Sequence, residues 1–140
     1  MRALTVRQPF ASAIAVGGKR VENRPARVRL RGTFAVHAGL SPDWTAPDLA
    51  WLAAGQDPAG RGTGAEFTLP LGSVVAVAEL TGCHWGGSRC CGEWDIPSCW
   101  HWELSDVRPL AVPVACLGSR GWWTLPDEVE SAVRAQLGET

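Results

Sequence analysis

Leu4-Thr5-Val6-Arg7-Gln8-Pro9-Phe10-Ala11, followed by Gly17-Gly18-Lys19-Arg20-Val21-Glu22-Asn23-Arg24, is the stretch on which the fold reading turns. Leu4 to Arg7 alternates as a strand does. Pro9 stands where a first helical turn tolerates proline, since its missing N–H had no partner to lose. Phe10, Ala13, Ile14 and Gly17 keep helical spacing, which predicts a helix of about ten residues. Gly17 or Gly18 can take the left-handed conformation that ends it. The helix N-terminus offers free backbone N–H groups to an anion. Arg31-Gly32 and Val36-His37-Ala38 then close the unit with a second strand. Between helix and strand lies a cluster of cation, carboxylate, amide and guanidinium, more chemistry than a connector needs.

Within that cluster Lys19 is the sharpest residue. The chain has thirteen Lys plus Arg, and twelve of them are arginine. An ammonium is a compact point charge whose pKa drops on burial, so it can act as base, nucleophile or single-point phosphate ligand, and arginine is not its equivalent. Because Lys19 follows a helix end, Lys19→Arg is expected to impair ligand handling while leaving the fold intact.

The charge is uneven. Residues 1–40 carry eight cations against one acid, a balance of +7, and the remaining residues carry five against thirteen, a balance of −8. A basic first part suggests an anionic partner, unless the two parts neutralise each other across the fold. Arg27-Val28-Arg29-Leu30-Arg31 alternates with period two, so a strand here would present Arg27, Arg29 and Arg31 on one face, as phosphate-backbone contacts or as solvated charge.

The other elements follow from pattern. Ser41 and Pro42 suggest a helix start, with Trp44, Leu49, Trp51 and Leu52 on its buried side and Pro47 interrupting. Residues 55–64 read as a flexible loop. Residues 72–82 form a nearly all-apolar strand suited to a sheet centre. Residues 100–105, 110–116 and 122–125 read as further short strands, and Asp127 begins an amphipathic helix with Val129, Val133 and Leu137 on one side. The whole of 1–140 reads as one α+β domain, mainly β: a small, partly closed β-barrel with flanking short helices. No apolar run reaches the ~18 residues of a membrane span and no signal-peptide pattern opens the chain, so a cytoplasmic location without membrane attachment is expected.

Five cysteines are read as thiols or metal ligands rather than a disulfide framework. Cys83-His84, Cys90-Cys91 and Cys99-Trp100-His101 invite a zinc reading, but ligand pairs usually stand two to four residues apart, and this spacing argues against it. No metal and no cofactor is therefore expected. Eight tryptophans with no tyrosine offer both core packing and base stacking, with Trp122 the candidate stacking residue. His37 ends its strand close to where the Lys19 segment should converge.

Together these residues resemble the signature of the ASCH domain, named after an activating signal cointegrator. Leu4-x-Val6-Arg7-Gln8-Pro9-Phe10-Ala11, Gly17-Gly18-Lys19-x-Val21-Glu22-Asn23-Arg24, Arg31-Gly32 and Val36-His37-Ala38 carry the resemblance, with looser support from residues 72–76 and Gly121-Trp122-Trp123. It implies a fold similar to the RNA-binding PUA domain and a cleft beside the first helix. On that basis Arg7, Gln8, Lys19, Glu22, Arg24, His37 and Trp122 are the ligand-binding candidates. One branch of the family hydrolyses acylated cytidine nucleosides with a lysine, a threonine and a glutamate. Lys19 looks like that lysine, and Glu22 stands where that branch has its threonine. Other members bind nucleic acid or cleave RNA. The leading expectation is binding of RNA, single-stranded nucleic acid or a modified nucleoside. The alternatives are a hydrolase with Lys19 and Glu22 as its catalytic pair, and a protein-interaction module.

Overall fold

The computed structural model describes residues 1–60, 67–87 and 90–139. Its elements in chain order are β1 (Arg2–Val6), α1 (Phe10–Val16), β2 (Val21–Arg24), β3 (Gly32–Ala38), α2 (Asp48–Ala53), β4 (Ser73–Gly86), β5 (Cys99–Ala115), β6 (Trp122–Thr124) and α3 (Asp127–Gln136). Single 3-10 turns lie at Pro58–Gly60 and Gly92–Trp94.

Among the described residues six strands form one sheet in the order β2-β5-β4-β3-β1-β6, parallel between β1 and β3 and antiparallel elsewhere. The short parallel pair requires a crossover, and α1 and β2 lie within it. Leu4 and Val6, Phe34 and Val36, Ala76 and Leu80, and Trp102 and Leu104 face one side, where Ile14 of α1 packs against them. Ala3, Ala35, Val74 and Val77 face the other side, covered by Val129 and Val133 of α3. A third cluster around Trp51 holds α2.

The sheet is not closed into a barrel. Among the described residues β2 and β6 end the ladder as its two edges. It is nevertheless curled. β5 and β6 are four strand positions apart, about 19 Å on a flat sheet, yet Trp102 of β5 stacks on Trp122 of β6 with ring centroids 5.9 Å apart. Register shifts in β3, β4 and β5 supply the bending that brings them together.

The helix predicted at about ten residues spans seven, Phe10–Val16. The strands predicted over 100–105 and 110–116 are one, Cys99–Ala115. Two further predicted elements differ in place. Residues 25–31 form no strand, because no neighbouring strand offers them a ladder; β3 starts at Gly32. The alternation survives as exposure: Arg27, Arg29 and Arg31 point outward while Val28 is buried. The helix predicted from Ser41 begins instead after Pro47, whose fixed φ opens α2 rather than interrupting it. The loop predicted over 55–64 lies partly outside the described residues. No helix among the described residues is long and apolar enough to cross a membrane.

Candidate functional site

The turn after α1 builds the site. Gly18 takes a left-handed φ of 77°, which lets the backbone N–H of Lys19 return to the Ala13 carbonyl at 3.1 Å. That reversal sends the Lys19 side chain inward, and it is only 2% exposed. β2 then pairs with β5, Glu22 opposite Trp102 and Arg24 opposite Trp100, which fixes Glu22 and Arg24 on the same side of the strand.

Three charges meet there. The Lys19 ammonium donates to Glu22 Oε1 at 3.0 Å and to the Val21 carbonyl. Arg24 Nε donates to Glu22 Oε2 at 2.9 Å, and its Nη2 reaches the Thr5 carbonyl of β1 at 3.2 Å. Aromatic faces support both cations: Nζ of Lys19 lies 5.7 Å from the Phe10 ring centre and 6.0 Å from that of Trp94, and the Arg24 guanidinium lies 5.5 Å from Trp102. Burial pushes the Glu22 carboxyl up, but the charges and hydrogen bonds of Lys19 and Arg24 outweigh it and hold the group below the usual carboxylate range.

This triad forms the floor of an open cavity of about 260 Å³ between β1, α1 and β2. Thr5, Val6 and Arg7 line one side, Phe10 and Asp43 another, and Asn23 and Ile96 a third. Asn23 fixes the last wall by donating to the Trp94 carbonyl at 2.8 Å and accepting from the Ile96 N–H at 3.2 Å. A smaller recess of about 80 Å³ continues past Lys19 between Phe10 and Trp94.

Of the residues expected at the site, Arg7, Lys19, Glu22 and Arg24 line this cleft. Arg7 is also tethered, donating to the carbonyls of Ser41 and Pro42 at 2.9 and 2.7 Å. Gln8 does not line it. Its amide is wholly buried, donating to Ser12 Oγ and the Pro70 carbonyl and accepting the Ser12 N–H. With the Ala11 N–H on the Arg7 carbonyl, this takes up the Ala11 and Ser12 N–H groups, two of those at the N-terminus of α1 open to an anion in the sequence reading.

His37 also stands outside. It is 1% exposed and ends a relay: the Trp123 indole donates to Thr5 Oγ1, which bonds His37 Nδ1 at 3.2 Å, while Nε2 bonds the Cys116 carbonyl at 2.7 Å. Burial draws its pKa below the usual histidine value, although the Cys116 carbonyl opposes the shift. Trp122 packs between Phe34 and Trp102 and serves the core. Arg27 rests over Trp100 with 5.7 Å between guanidinium and ring, and Arg31 folds back onto the carbonyls of Val28 and Leu30.

Thr5, Val6, Phe10, Asn23, Asp43 and Ile96 were not among the predicted site residues. Thr5, Val6, Phe10 and Asn23 lie inside the decisive stretch, where a motif reading could have included them. Ile96 stands more than seventy positions from Asn23 and carried no local signal.

No family model matches the chain, and no curated protein does either. Solved structures do. A point mutant of the ASCH protein from Zymomonas mobilis superposes with a TM-score of 0.59 at 16% identity, covering 96% of each chain. The unsubstituted ASCH protein of that organism gives 0.55 at 15% identity, over 96% of this chain and 93% of the other. The chain thus has an ASCH-like fold.

Proposed function

We propose that the cleft binds a nucleotide-like ligand, either a single base of an RNA strand or a modified nucleoside. The Lys19–Glu22–Arg24 triad carries this reading. Lys19 and Glu22 are buried while Arg24 stays partly exposed. Removing the two buried charges from water costs several kcal/mol per ion, and apolar side chains of similar size would hold the floor as well or better. Such a cluster at the bottom of an open cavity is a candidate for recognition rather than for stability. The cavity falls just below the ~300–1,000 Å³ usual for drug-sized ligands, which suits one small planar group. Phe10 and Ile96 offer apolar walls to such a group. Arg24 supplies guanidinium donors for base edges or phosphate, and Arg7 adds a cation at the rim.

The segment after β2 extends the site. It leaves the cleft at Arg24 and carries Arg27, Arg29 and Arg31 exposed, so a bound strand could continue along it with phosphate contacts. Fluorescence anisotropy with a short labelled single-stranded RNA at several salt concentrations tests the reading. Binding with a linear fall of log affinity against log salt supports it. No binding of RNA, nucleotides or nucleosides would refute it.

A hydrolase on the same cleft is the second reading. The observation favouring it is an ionised Glu22 carboxylate 3.0 Å from Lys19, facing the cavity: a pair able to move a proton for amide hydrolysis or RNA cleavage. Product from an acylated cytidine nucleoside or from RNA, lost in Glu22→Gln, would favour it over binding alone.

A further inference from the structure

We propose that His84, Cys90, Cys91 and His101 form a closed tetrahedral site for a structural zinc ion. The four donor atoms lie within 4.8 Å of one another. Nε2 of His84 is 3.2 Å from Cys90 Sγ and 3.3 Å from Cys91 Sγ. Nδ1 of His101 is 3.3 and 3.4 Å from the same two sulfurs, which are themselves 2.9 Å apart. Five of the six donor separations are thus 2.9–3.4 Å, and the sixth, between the two imidazole nitrogens, is within 4.8 Å. A regular tetrahedron with edges like those five has its centre about 2 Å from every corner, close to the ~2.0–2.3 Å of zinc–imidazole and zinc–thiolate bonds.

The surroundings set the donors for this role. His84 Nδ1 faces Glu103 Oε2 at 3.0 Å. His101 Nε2 faces the Ile96 carbonyl at 2.7 Å and Asp95 Oδ1 at 3.1 Å. In each ring the nitrogen away from the cluster has an oxygen acceptor for its N–H, so the other nitrogen turns its lone pair toward the sulfurs. Metal-bound histidines are oriented in this way. Asp95 Oδ2 accepts the backbone N–H groups of both Cys90 and Cys91, which fixes the vicinal pair. Gly86 makes room: a Cβ there would come within 2.2 Å of the His101 ring.

Two thiolates and two imidazoles form a donor set suited to zinc rather than to magnesium or calcium. Four protein donors leave no open position, so the role is structural. Spacing along the chain disfavours a metal only where ligand pairs must be close in sequence. Here the register of β4 and β5 places His84 opposite His101, and strand pairing does what short spacing does elsewhere. The ion would tie this pair to residues 90–96, whose Trp94 and Ile96 wall the cleft.

The test uses the full chain, untagged, expressed in zinc-supplemented medium, dialysed and analysed for metal. One zinc per chain is expected, and replacing it with Co²⁺ should give thiolate-to-cobalt charge-transfer absorption with the intense d–d bands of a tetrahedral ion. Cys90→Ser/Cys91→Ser and His101→Gln should each lose the metal, while Cys116→Ser should keep it. Should a variant fail to fold, the wild-type cobalt spectrum still decides. Absence of both zinc and the cobalt–thiolate absorption in the folded wild type would overturn the proposal. So would metal retained in a folded Cys90→Ser/Cys91→Ser variant, or a Cys90–Cys91 disulfide in the protein as isolated.

Discussion

Lys19 is the residue on which the chemistry of the cleft converges, and burial changes what its replacement should do. Its position after a helix end suggested a side chain that could be altered without cost to the fold. The ammonium instead sits under two aromatic rings, 2% exposed and bonded to Glu22. Lys19→Arg must fit a wider planar group into that space, so we expect ligand affinity to fall about tenfold or more, the worth of one charge-assisted hydrogen bond. Stability should fall as well, by the ~1–3 kcal/mol of overpacking, and lower the thermal midpoint. Calorimetric titration and thermal melts of one variant read both effects. Glu22→Gln leaves two cations facing a neutral amide, and removing one partner from a buried ion group costs about 3–5 kcal/mol. The same variant has a pH consequence. Because Lys19 and Arg24 hold the folded-state pKa of Glu22 below its unfolded value, its contribution to stability is complete above the unfolded value and disappears as pH falls through the folded pKa. Wild-type stability should therefore drop over that acid range, and Glu22→Gln should lack this part of the drop in denaturant titrations.

Element by element, legibility in the sequence depended on whether the deciding interaction was local. β1, α1 and α3 were readable because alternation, helical spacing and an amphipathic face belong to single segments. Residues 27–31 have strand alternation but no neighbour to pair with. β5 reads as two strands in the sequence, yet it runs unbroken from Cys99 to Ala115. Its Pro109 and Pro113 are tolerated because β2 pairs only with residues 100–103 of β5, leaving the later part an edge. Gln8 and His37 were misplaced for a related reason: proximity to the site was legible, but side-chain direction depends on Ser12, Pro70 and Cys116, distant or unremarkable in the sequence. The segment after β2 gives a prediction of its own. Replacing Arg27, Arg29 and Arg31 by Ala should reduce the salt slope of RNA binding by about 0.7 for each phosphate no longer neutralised. An unchanged slope in anisotropy measurements would make these arginines solvated charge.

For the molecule as a whole, the curled sheet brings together groups far apart in sequence. The cleft floor comes from the first turn after α1, its far wall from Trp94 and Ile96, and that wall is anchored on the proposed zinc site. The two sites should therefore be linked: stripping zinc with a chelator should lower the thermal midpoint by several degrees and weaken ligand binding, with melts and titrations run on the same sample. The fold class and the identity of the triad were legible because strand and helix periods and the motif spacing are local. The open ladder and the cross-strand histidine pair were not, because both depend on bulges and register. Whether the Lys19–Glu22–Arg24 cleft holds a nucleotide-like ligand is decided by following backbone amide chemical shifts while a short single-stranded RNA is titrated into the isotope-labelled protein. The largest shifts should fall on Thr5, Arg7, Phe10, residues 22–24 and Ile96. Shifts concentrated on α3 and the sheet face it covers, or no shifts with RNA, nucleotides or nucleosides alike, are incompatible with a nucleotide-like ligand in this cleft.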